Sequence, residues 1–322
     1  MNSPDRPVCV LGLGLIGGSL MRAVVASGRP AHGWNRSAGA VDAARLDGYD
    51  VTGDLETALR RAADERALVV VAVPMTAVDD VLTAVATFAP DCPLTDVVSV
   101  KVEMADAVAR HGLSAAYVGG HPMAGTAASG WIAADADLFR NAVWVVTVDD
   151  GTDPDVWMQV ASLALTCGSV VVPARSDEHD RAVARVSHLP HVLAEVLASV
   201  GADGGELALR LAAGSFRDGT RVAGTAPTLV SAMCDANAAA LLEAVDDALA
   251  RLTRARAVLA ADSSTTDLTR DGHRARSRYE AQLQWWEITD VVVGADGWAD
   301  AMRDRARAGG VVQRLPARRA VT

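Results

Sequence analysis

The sequence predicts a mainly parallel α/β domain followed by an all-helical domain, and three observations support this. Short Val-rich runs alternate with helical patterns up to about residue 174, which is typical of βαβ units. From residue 177 to about 261 no run indicates a strand, and apolar residues recur at spacings of three and four. The length of 322 residues suits two domains.

Seven strands are predicted in the first domain, because each run is rich in Val and bounded by Gly, Pro, Asp or Asn: residues 8–11, 31–34, 68–73, 94–100, 116–118, 143–148 and 169–172. The helical patterns between them cover residues 18–26, 55–63, 78–87, 104–110 and 154–166. We therefore assign residues 1–174 to the α/β domain, 175–261 to the helical domain and 262–322 to a C-terminal extension of unassigned role. The extension has one further predicted helix, at residues 279–288.

Composition excludes several classes of protein. The chain has 30 basic and 40 acidic residues, and this net charge of −10 disfavours a nucleic-acid binder. No apolar run reaches the ~18 residues of a membrane span, and the N-terminus does not resemble a signal peptide, so we expect a cytoplasmic protein. The four cysteines are far apart, which argues against a structural metal site or a disulfide framework. One basic residue, Lys101, is Lys and all others are Arg.

A glycine fingerprint follows the first predicted strand. Residues 12–17 read Gly-Leu-Gly-Leu-Ile-Gly and open a helical pattern, which is the context of a dinucleotide-binding βαβ unit. The first Gly of such a unit makes the tight turn, the second admits a pyrophosphate, and the third lets the helix pack on the strand. The α/β domain is therefore predicted to be Rossmann-like, with cofactor contacts from Gly12, Gly14, Leu15, Ile16 and Gly17.

The end of the second predicted strand indicates which nicotinamide cofactor binds. An NAD enzyme usually has Asp or Glu about 20 residues after the glycines, whereas this chain has Asn35, Arg36 and Ser37. Arg36 fits a 2′-phosphate or the adenine ring, and Asn35 or Ser37 can donate a hydrogen bond to the phosphate. We predict NAD(P)+ as cofactor, with NADP favoured. The alternative for Arg36 is a solvated loop charge.

Further polar blocks lie at predicted strand ends and in the helical domain. Ser99 and Lys101 end a strand, where ligands bind in open α/β sheets. Residues 119–126 read GGHPMAGT, residues 187–191 read SHLPH, and residues 214–221 read GSFRDGTR. His188 and His191 with Glu195 would suggest a metal site, but no further well-spaced ligands accompany them, and no metal is predicted.

With these blocks in this order, the chain resembles the prephenate/arogenate dehydrogenases of tyrosine biosynthesis. The resemblance covers roughly residues 7–255, and the GGHPMAGT and SHLPH blocks are its most specific parts. It implies a Rossmann domain followed by a helical domain that forms a homodimer, with the active site in the cleft between the two domains. The segment after about residue 261 has no counterpart in this resemblance.

The resemblance implies catalytic roles for two residues. His121 matches the histidine that bonds the ring hydroxyl of the substrate, and Ser99 matches the serine that orients that hydroxyl and the histidine. The chemistry requires such a group independently, because oxidising a ring alcohol by hydride transfer needs a base within reach of the hydroxyl proton, and His is the commonest choice near neutral pH.

Five further residues are expected at the substrate. His191 and Arg221 match substrate-binding residues of the helical domain, with Arg221 holding a carboxylate, and Arg217 falls where relatives often carry a basic residue. Thr126 closes the histidine block, and Lys101 is expected to keep the cleft positive. The plain alternative for Arg217 and Arg221 is a solvated helix face, because they lie four residues apart.

The function predicted is oxidative decarboxylation of prephenate to 4-hydroxyphenylpyruvate. Oxidation of arogenate to tyrosine, and of 4-amino-4-deoxyprephenate in specialised metabolism, remain alternatives within the same class. A β-hydroxyacid dehydrogenase is disfavoured, since that group uses a catalytic Lys in its helical domain and Lys101 lies in the other half. A non-catalytic dinucleotide-sensing regulator would keep the glycines but would not need His121 together with Arg221.

Overall fold

The computed structural model describes residues 6–126, 128–281 and 285–319. The chain divides into two compact units, one formed by Met1–His179 with Trp286–Thr322, the other by Asp180–Trp285. The first unit contains the sheets and the second is helical, so the predicted fold class is confirmed.

A five-stranded parallel sheet occupies the N-terminal part of the first unit. Its strands are β1 (Val8–Leu11), β2 (Ala31–Trp34), β3 (Val51–Thr52), β4 (Leu68–Val71) and β5 (Leu94–Asp96). They lie in the order β3-β2-β1-β4-β5. The helices that alternate with them are α1 (Leu15–Ala26), α2 (Ala38–Leu46), α3 (Leu55–Glu65), α4 (Val78–Phe88) and α5 (Val102–Arg110).

A second sheet continues the first. It contains β6 (Gly120–Pro122), β7 (Val143–Thr147) and β8 (Val170–Ala174), with helix α6 (Pro154–Thr166) between the last two. Strands β7 and β8 are parallel, whereas β6 is antiparallel to β7. A parallel bridge between Leu94 and Tyr117 connects the two sheets.

Alternate residues of the central strands belong to two hydrophobic cores. Val8 and Val10 of β1 belong to a core that includes residues of α1 and α6, whereas Cys9 and Leu11 belong to one that includes residues of α3, α4 and α5. Because side chains alternate across a strand, these two cores lie on opposite faces of the sheet. Burial on both faces explains why β1 and β4 are continuous apolar runs.

The described residues of the second unit form helices and no strand. Helix α7 (Ser176–Val183) leads from the first unit into a π-helical segment, Ala184–His188. The helices that follow are α8 (Leu189–Asp203), α9 (Gly205–Leu211), α10 (Gly214–Gly219), α11 (Pro227–Asp235), α12 (Ala238–Asp262) and α13 (Thr266–Ala281). Within the described residues no single helix is long and apolar enough to cross a bilayer; α11 and α12 pass that test only as a pair, and they are bent by 97°.

The C-terminal extension is divided between the two units, contrary to its assignment as one segment. Helix α13 belongs to the helical unit, whereas β9 (Trp286–Glu287), α14 (Trp298–Arg307) and β10 (Gly310–Val311) belong to the first unit. An antiparallel bridge joins Val171 of β8 to Val312. The buried Arg303 donates to the carbonyl of Val148 at 3.0 Å, which fixes α14 beside β7.

Several sequence boundaries were wrong. The strand predicted at 116–118 lies at Gly120–Pro122, the strand predicted at 94–100 ends at Asp96, and α2 and β3 were missed. The helix predicted at 279–288 partly falls outside the described residues; α13 ends at Ala281, and Trp286–Glu287 forms a strand. The two-residue strands β3 and β9 are defined by pairing with a neighbouring strand, and periodicity does not reveal such pairing.

Candidate active site

The glycine loop shows three different reasons for glycine. Gly12 has a φ of +109°, and a Cβ there would lie 2.5 Å from the carbonyl oxygen of Ala72. A Cβ at Gly17 would lie 1.9 Å from the carbonyl oxygen of Gly12, so the helix packs there only on glycine. A Cβ at Gly14 would meet nothing within 4 Å. The protein itself therefore does not require glycine at position 14, and the open space beside it fits a pyrophosphate that approaches the backbone.

Helix α1 begins directly after Gly14, which is its N-cap and provides no side-chain cap. Leu15 and Ile16 form its first turn and are half-buried. The first N–H groups of a helix have no intrahelical acceptor and favour an anion. The Leu13 N–H donates to Oδ1 of Asn35 at 3.1 Å, which holds the loop against the end of β2. These groups fit a dinucleotide phosphate.

The two residues after Asn35 lie at the surface. Arg36 and Ser37 are exposed, and Ser37 is the N-cap of α2 without a side-chain cap bond. Among the described residues, no carboxylate forms an ion pair with Arg36. Both side chains are thus available to a ligand at the carboxyl end of β2.

Lys101 does not lie where the sequence suggested. Its side chain is completely buried, and its ammonium donates to a carboxylate oxygen of Asp96, which is also completely buried, and to the carbonyl of Gly120 at 2.6 Å. The prediction that Lys101 contacts the substrate and keeps the cleft positive is therefore wrong, because the ammonium is buried and Asp96 neutralises its charge inside the protein. A buried lysine without such a partner would be costly.

The Lys101–Asp96 pair holds the strand that carries His121. Asp96 accepts from the Tyr117 hydroxyl at 2.7 Å and from the Gly120 N–H at 3.4 Å. A Cβ at Gly120 would lie 2.6 Å from the carbonyl oxygen of Asp96, so glycine is required for this approach. The chain immediately before His121 is thereby tied to β5 and to the start of α5.

His121 contacts a second histidine that sequence reasoning missed. Nδ1 of His121 lies 2.8 Å from Nε2 of His179, and the rings meet edge to face with centroids 5.0 Å apart. His179 lies on α7, directly after β8, and is 3% exposed. Its position just beyond the end of a strand was the available signal, because ligands bind at that edge of an α/β sheet.

The other expected residues of the first unit lie in loops. Ser99 is half-buried between β5 and α5, and its hydroxyl makes no hydrogen bond within the described residues. Thr126 is exposed, and its hydroxyl accepts from the Ala128 N–H at 3.2 Å. Among the described residues, the structure therefore shows a hydrogen bond between His121 and His179 but none between His121 and Ser99.

In the helical unit, His188 and His191 have different surroundings. His188 is buried, and its Nδ1 lies 3.2 Å from Nδ2 of Asn237, which also donates to the Asp180 carbonyl at 2.8 Å. His191 is half-buried, and within the described residues its buried Nδ1 has no hydrogen-bond partner. His188 thus has a packing role, whereas the unsatisfied atom of His191 fits a ligand.

Arg217 and Arg221 are both exposed in the helical unit. Arg217 lies in α10, and Arg221 begins the short 3₁₀ helix Arg221–Gly224. Neither guanidinium forms an ion pair with a carboxylate of the described chain, so both can bind an external anion. Within the residues that the structure describes, no group of three or more His, Cys, Asp or Glu side chains is arranged to hold a metal ion.

Two family models match almost consecutive parts of the chain. Residues 28–173 match the nucleotide-binding domain of prephenate dehydrogenase, and residues 175–270 match its dimerization domain. The chain belongs to the prephenate dehydrogenase family. This family assignment makes it a dehydrogenase with a nucleotide-binding domain and a helical dimerization domain.

Individual members of the prephenate dehydrogenase family agree with this assignment. The cyclohexadienyl dehydrogenase of Zymomonas mobilis is 32% identical over 79% of this chain and 89% of its own length. A crystal structure of a provisionally assigned prephenate dehydrogenase from Corynebacterium glutamicum is 50% identical, with a TM-score of 0.92 over 96% of this chain and 98% of that one. The Synechocystis arogenate dehydrogenase is 30% identical, with a TM-score of 0.74 over 85% and 99%.

Two longer members show that chain length differs within the prephenate dehydrogenase family. The prephenate dehydrogenases of Lactococcus lactis and Bacillus subtilis are 31% and 33% identical over 68% and 71% of this chain. The matched regions cover 61% and 63% of those two proteins.

Proposed function

We propose that the chain oxidises prephenate to 4-hydroxyphenylpyruvate and CO2, with NAD(P)+ as hydride acceptor. The main supporting observation is the position of His121. The Gly120 carbonyl before it accepts from Lys101, which holds the strand of His121 at the carboxyl end of the nucleotide-binding sheet. The names of the relatives, which include prephenate, cyclohexadienyl and arogenate dehydrogenases, support a cyclohexadienyl substrate.

The proposed role of His121 is that of a base. Nε2 of His121 receives the proton of the ring hydroxyl and returns it to the phenolate oxygen once the ring has become aromatic. NAD(P)+, held by the glycine loop and the end of β2, would supply the acceptor for the hydride of the hydroxyl-bearing carbon. The electron pair of the breaking carbon–carboxylate bond enters the ring, and CO2 leaves. In this proposal Ser99 orients the hydroxyl, because its own hydroxyl has no partner within the described residues.

The proposed cofactor preference is NADP. The end of β2 has no acidic residue to bind the ribose hydroxyls, and the exposed Arg36 is free of carboxylate partners in the described chain. A guanidinium binds a phosphate with two parallel hydrogen bonds. Asn35 and Ser37 complete the proposed site around the 2′-phosphate.

The helical unit is proposed to bind the anionic end of the substrate. Arg217, Arg221 and His191 present two exposed guanidiniums and one unsatisfied ring nitrogen. Thr126, in the first unit, is also proposed to contact the substrate.

The helical unit is also proposed to form a homodimer. Exposed apolar surfaces often mark association sites. The helices of this unit expose several large apolar side chains, among them Val196, Val200, Leu242, Leu249 and Leu252.

Steady-state reduction of NAD and NADP, each with prephenate and with arogenate, tests the proposal. We expect turnover with prephenate and a lower KM for NADP. His121→Asn should lower kcat by about 10²–10⁴-fold while cofactor affinity stays nearly unchanged. His111→Asn is the matched control, because His111 is a half-buried imidazole at the end of α5 whose ring contacts Thr83, the Ala107 carbonyl and Asp79, none of which belongs to the proposed site. Absence of turnover with every pair, or full activity of the His121 variant, would disprove the proposal.

A further inference from the structure

The hydrogen bond between His121 and His179 contains a single proton. Two nitrogen atoms 2.8 Å apart form a hydrogen bond only if one donates and the other accepts. A neutral imidazole has one N–H and one acceptor nitrogen, so the direction of this bond decides which nitrogen of His121 holds the proton. If Nδ1 of His121 donates, its Nε2 is an acceptor; if Nδ1 accepts, its Nε2 bears the hydrogen.

We propose that His179 is a positioning residue that accepts this bond and thereby keeps Nε2 of His121 ready to receive a proton. The inference rests on the proposed function, in which Nε2 takes the hydroxyl proton of the substrate. During that step the O–H bond breaks, the proton moves to Nε2, and His121 becomes an imidazolium. Its Nδ1–H continues to donate to His179, which stays neutral and stabilises the new positive charge.

The surroundings of His179 are suited to this role. His179 is 3% exposed, so its side of the bond is almost completely shielded from solvent. The start of α7 is fixed from two directions. The Ser176 N–H and hydroxyl donate to Asp149 at 2.9 and 2.6 Å, and Arg307 of α14 forms a 2.7 Å ion pair with Glu178, the neighbour of His179. The C-terminal segment therefore helps to hold the helix on which His179 lies.

The structure also fixes the other side of the pair. Gly120, the residue before His121, accepts from Lys101 at 2.6 Å and donates to Asp96. His121 itself pairs with Val145 of β7 in the strand register. With both rings held by their backbones, the geometry of the bond is set before a substrate arrives, which is how a catalytic group is pre-organised.

Nitrogen-15 NMR of histidine-labelled protein tests the direction of the bond without turnover. His121→Asn and His179→Gln serve to assign the signals. We expect neutral His121 to carry its proton on Nδ1 in the wild type and in His179→Gln, because Gln retains an acceptor near the position of Nε2. In His179→Phe the proton should move largely to Nε2. His32→Gln removes another buried imidazole of the same unit and should leave the His121 tautomer unchanged.

Kinetics give the second readout. We expect His179→Phe to lower kcat roughly 10–100-fold with little change in the KM for cofactor, and His179→Gln to restore most of the loss. A wild-type His121 protonated on Nε2, or a tautomer that His179→Phe does not alter, would overturn the inference. If His179→Phe does not fold, the wild-type tautomer still decides the matter. If the wild type turned over neither substrate, the proposed function would fail, whereas the tautomer result would stand.

Discussion

The ammonium of Lys101 and the carboxylate of Asp96 form an ion pair that no solvent reaches. Both side chains have zero exposure, and the pair connects β5, the start of α5 and the strand that carries His121. This arrangement makes the single lysine of the chain a structural element of the candidate site.

Breaking this pair should be costly. We expect Lys101→Met to lower the free energy of unfolding by about 3–5 kcal/mol, because it leaves a buried carboxylate without its partner. Chemical denaturation measures the change. Arg140→Ala, which removes an exposed ion pair with Asp137, should change it by less than about 1 kcal/mol. Adding Asp96→Asn to Lys101→Met should recover part of this loss of stability. A double variant whose free energy of unfolding falls by more than the sum of the two single losses would contradict this account.

Two glycine substitutions should separate stability from cofactor binding. Gly17→Ala places a Cβ 1.9 Å from the Gly12 carbonyl oxygen and should destabilise the fold, lowering Tm by several degrees. Gly14→Ala meets no protein atom within 4 Å and should leave Tm nearly unchanged while weakening NADP binding roughly tenfold or more. Thermal melts and fluorescence titration with NADPH measure the two effects. Unchanged NADPH affinity in Gly14→Ala would contradict a pyrophosphate at this position.

Arg36 should discriminate between the two cofactors. Arg36→Ala removes the proposed partner of the 2′-phosphate and should raise the KM for NADP about 10–100-fold, with little change for NAD. Arg36→Asp should shift the preference towards NAD, because a carboxylate repels the phosphate and binds the ribose hydroxyls. The ratio of kcat/KM for the two cofactors is the measurement. An equal effect on both would show that Arg36 does not bind the 2′-phosphate.

Arg221 should contribute to substrate affinity. Replacing it by Ala removes an exposed guanidinium from the helical unit and should raise the KM for prephenate about 10–100-fold, with a smaller change in kcat. Arg270→Ala is a suitable control, because that exposed arginine already pairs with Asp267 in the same unit. A lower kcat at constant KM would instead assign Arg221 to the chemical step.

His32 should make stability depend on pH. The pKa of this imidazole is lowered because burial disfavours the charged form, an effect larger than the opposing influences of the Ala58 carbonyl and Glu65. As pH falls below the ordinary value of 6.5, the unfolded chain binds a proton there that the folded chain does not. The free energy of unfolding should therefore fall with pH, by up to about 1.4 kcal/mol per pH unit from this group. Denaturation between pH 7.5 and 5.5 should show a shallower dependence in His32→Gln, and an identical dependence would contradict the assignment.

Local sequence pattern was sufficient for the fold class and for the glycine loop. The central strands β1 and β4 are buried on both faces, so their composition is apolar throughout and visible in the chain. The positive φ of Gly12 and the close approach of Gly17 to the Gly12 carbonyl arise from the turn and the helix that directly follow β1, whereas the approach of Gly12 to Ala72 comes from the neighbouring strand. The first two requirements are local. Such features depend on neighbours in sequence, and the motif therefore contains the necessary information.

Tertiary structure alone decided how the side chains around His121 are paired. The sequence placed Lys101 at the end of a strand but did not show whether its ammonium points outward or inward, and Asp96 and Gly120 turn it inward. The partner of His121 lies 58 residues away, on a helix whose position depends on Asp149 and on Arg307 near the end of the chain. The sequence by itself determined the fold class and the glycine loop; the structure decided which groups are buried together, because burial depends on contacts between distant segments that no local pattern records.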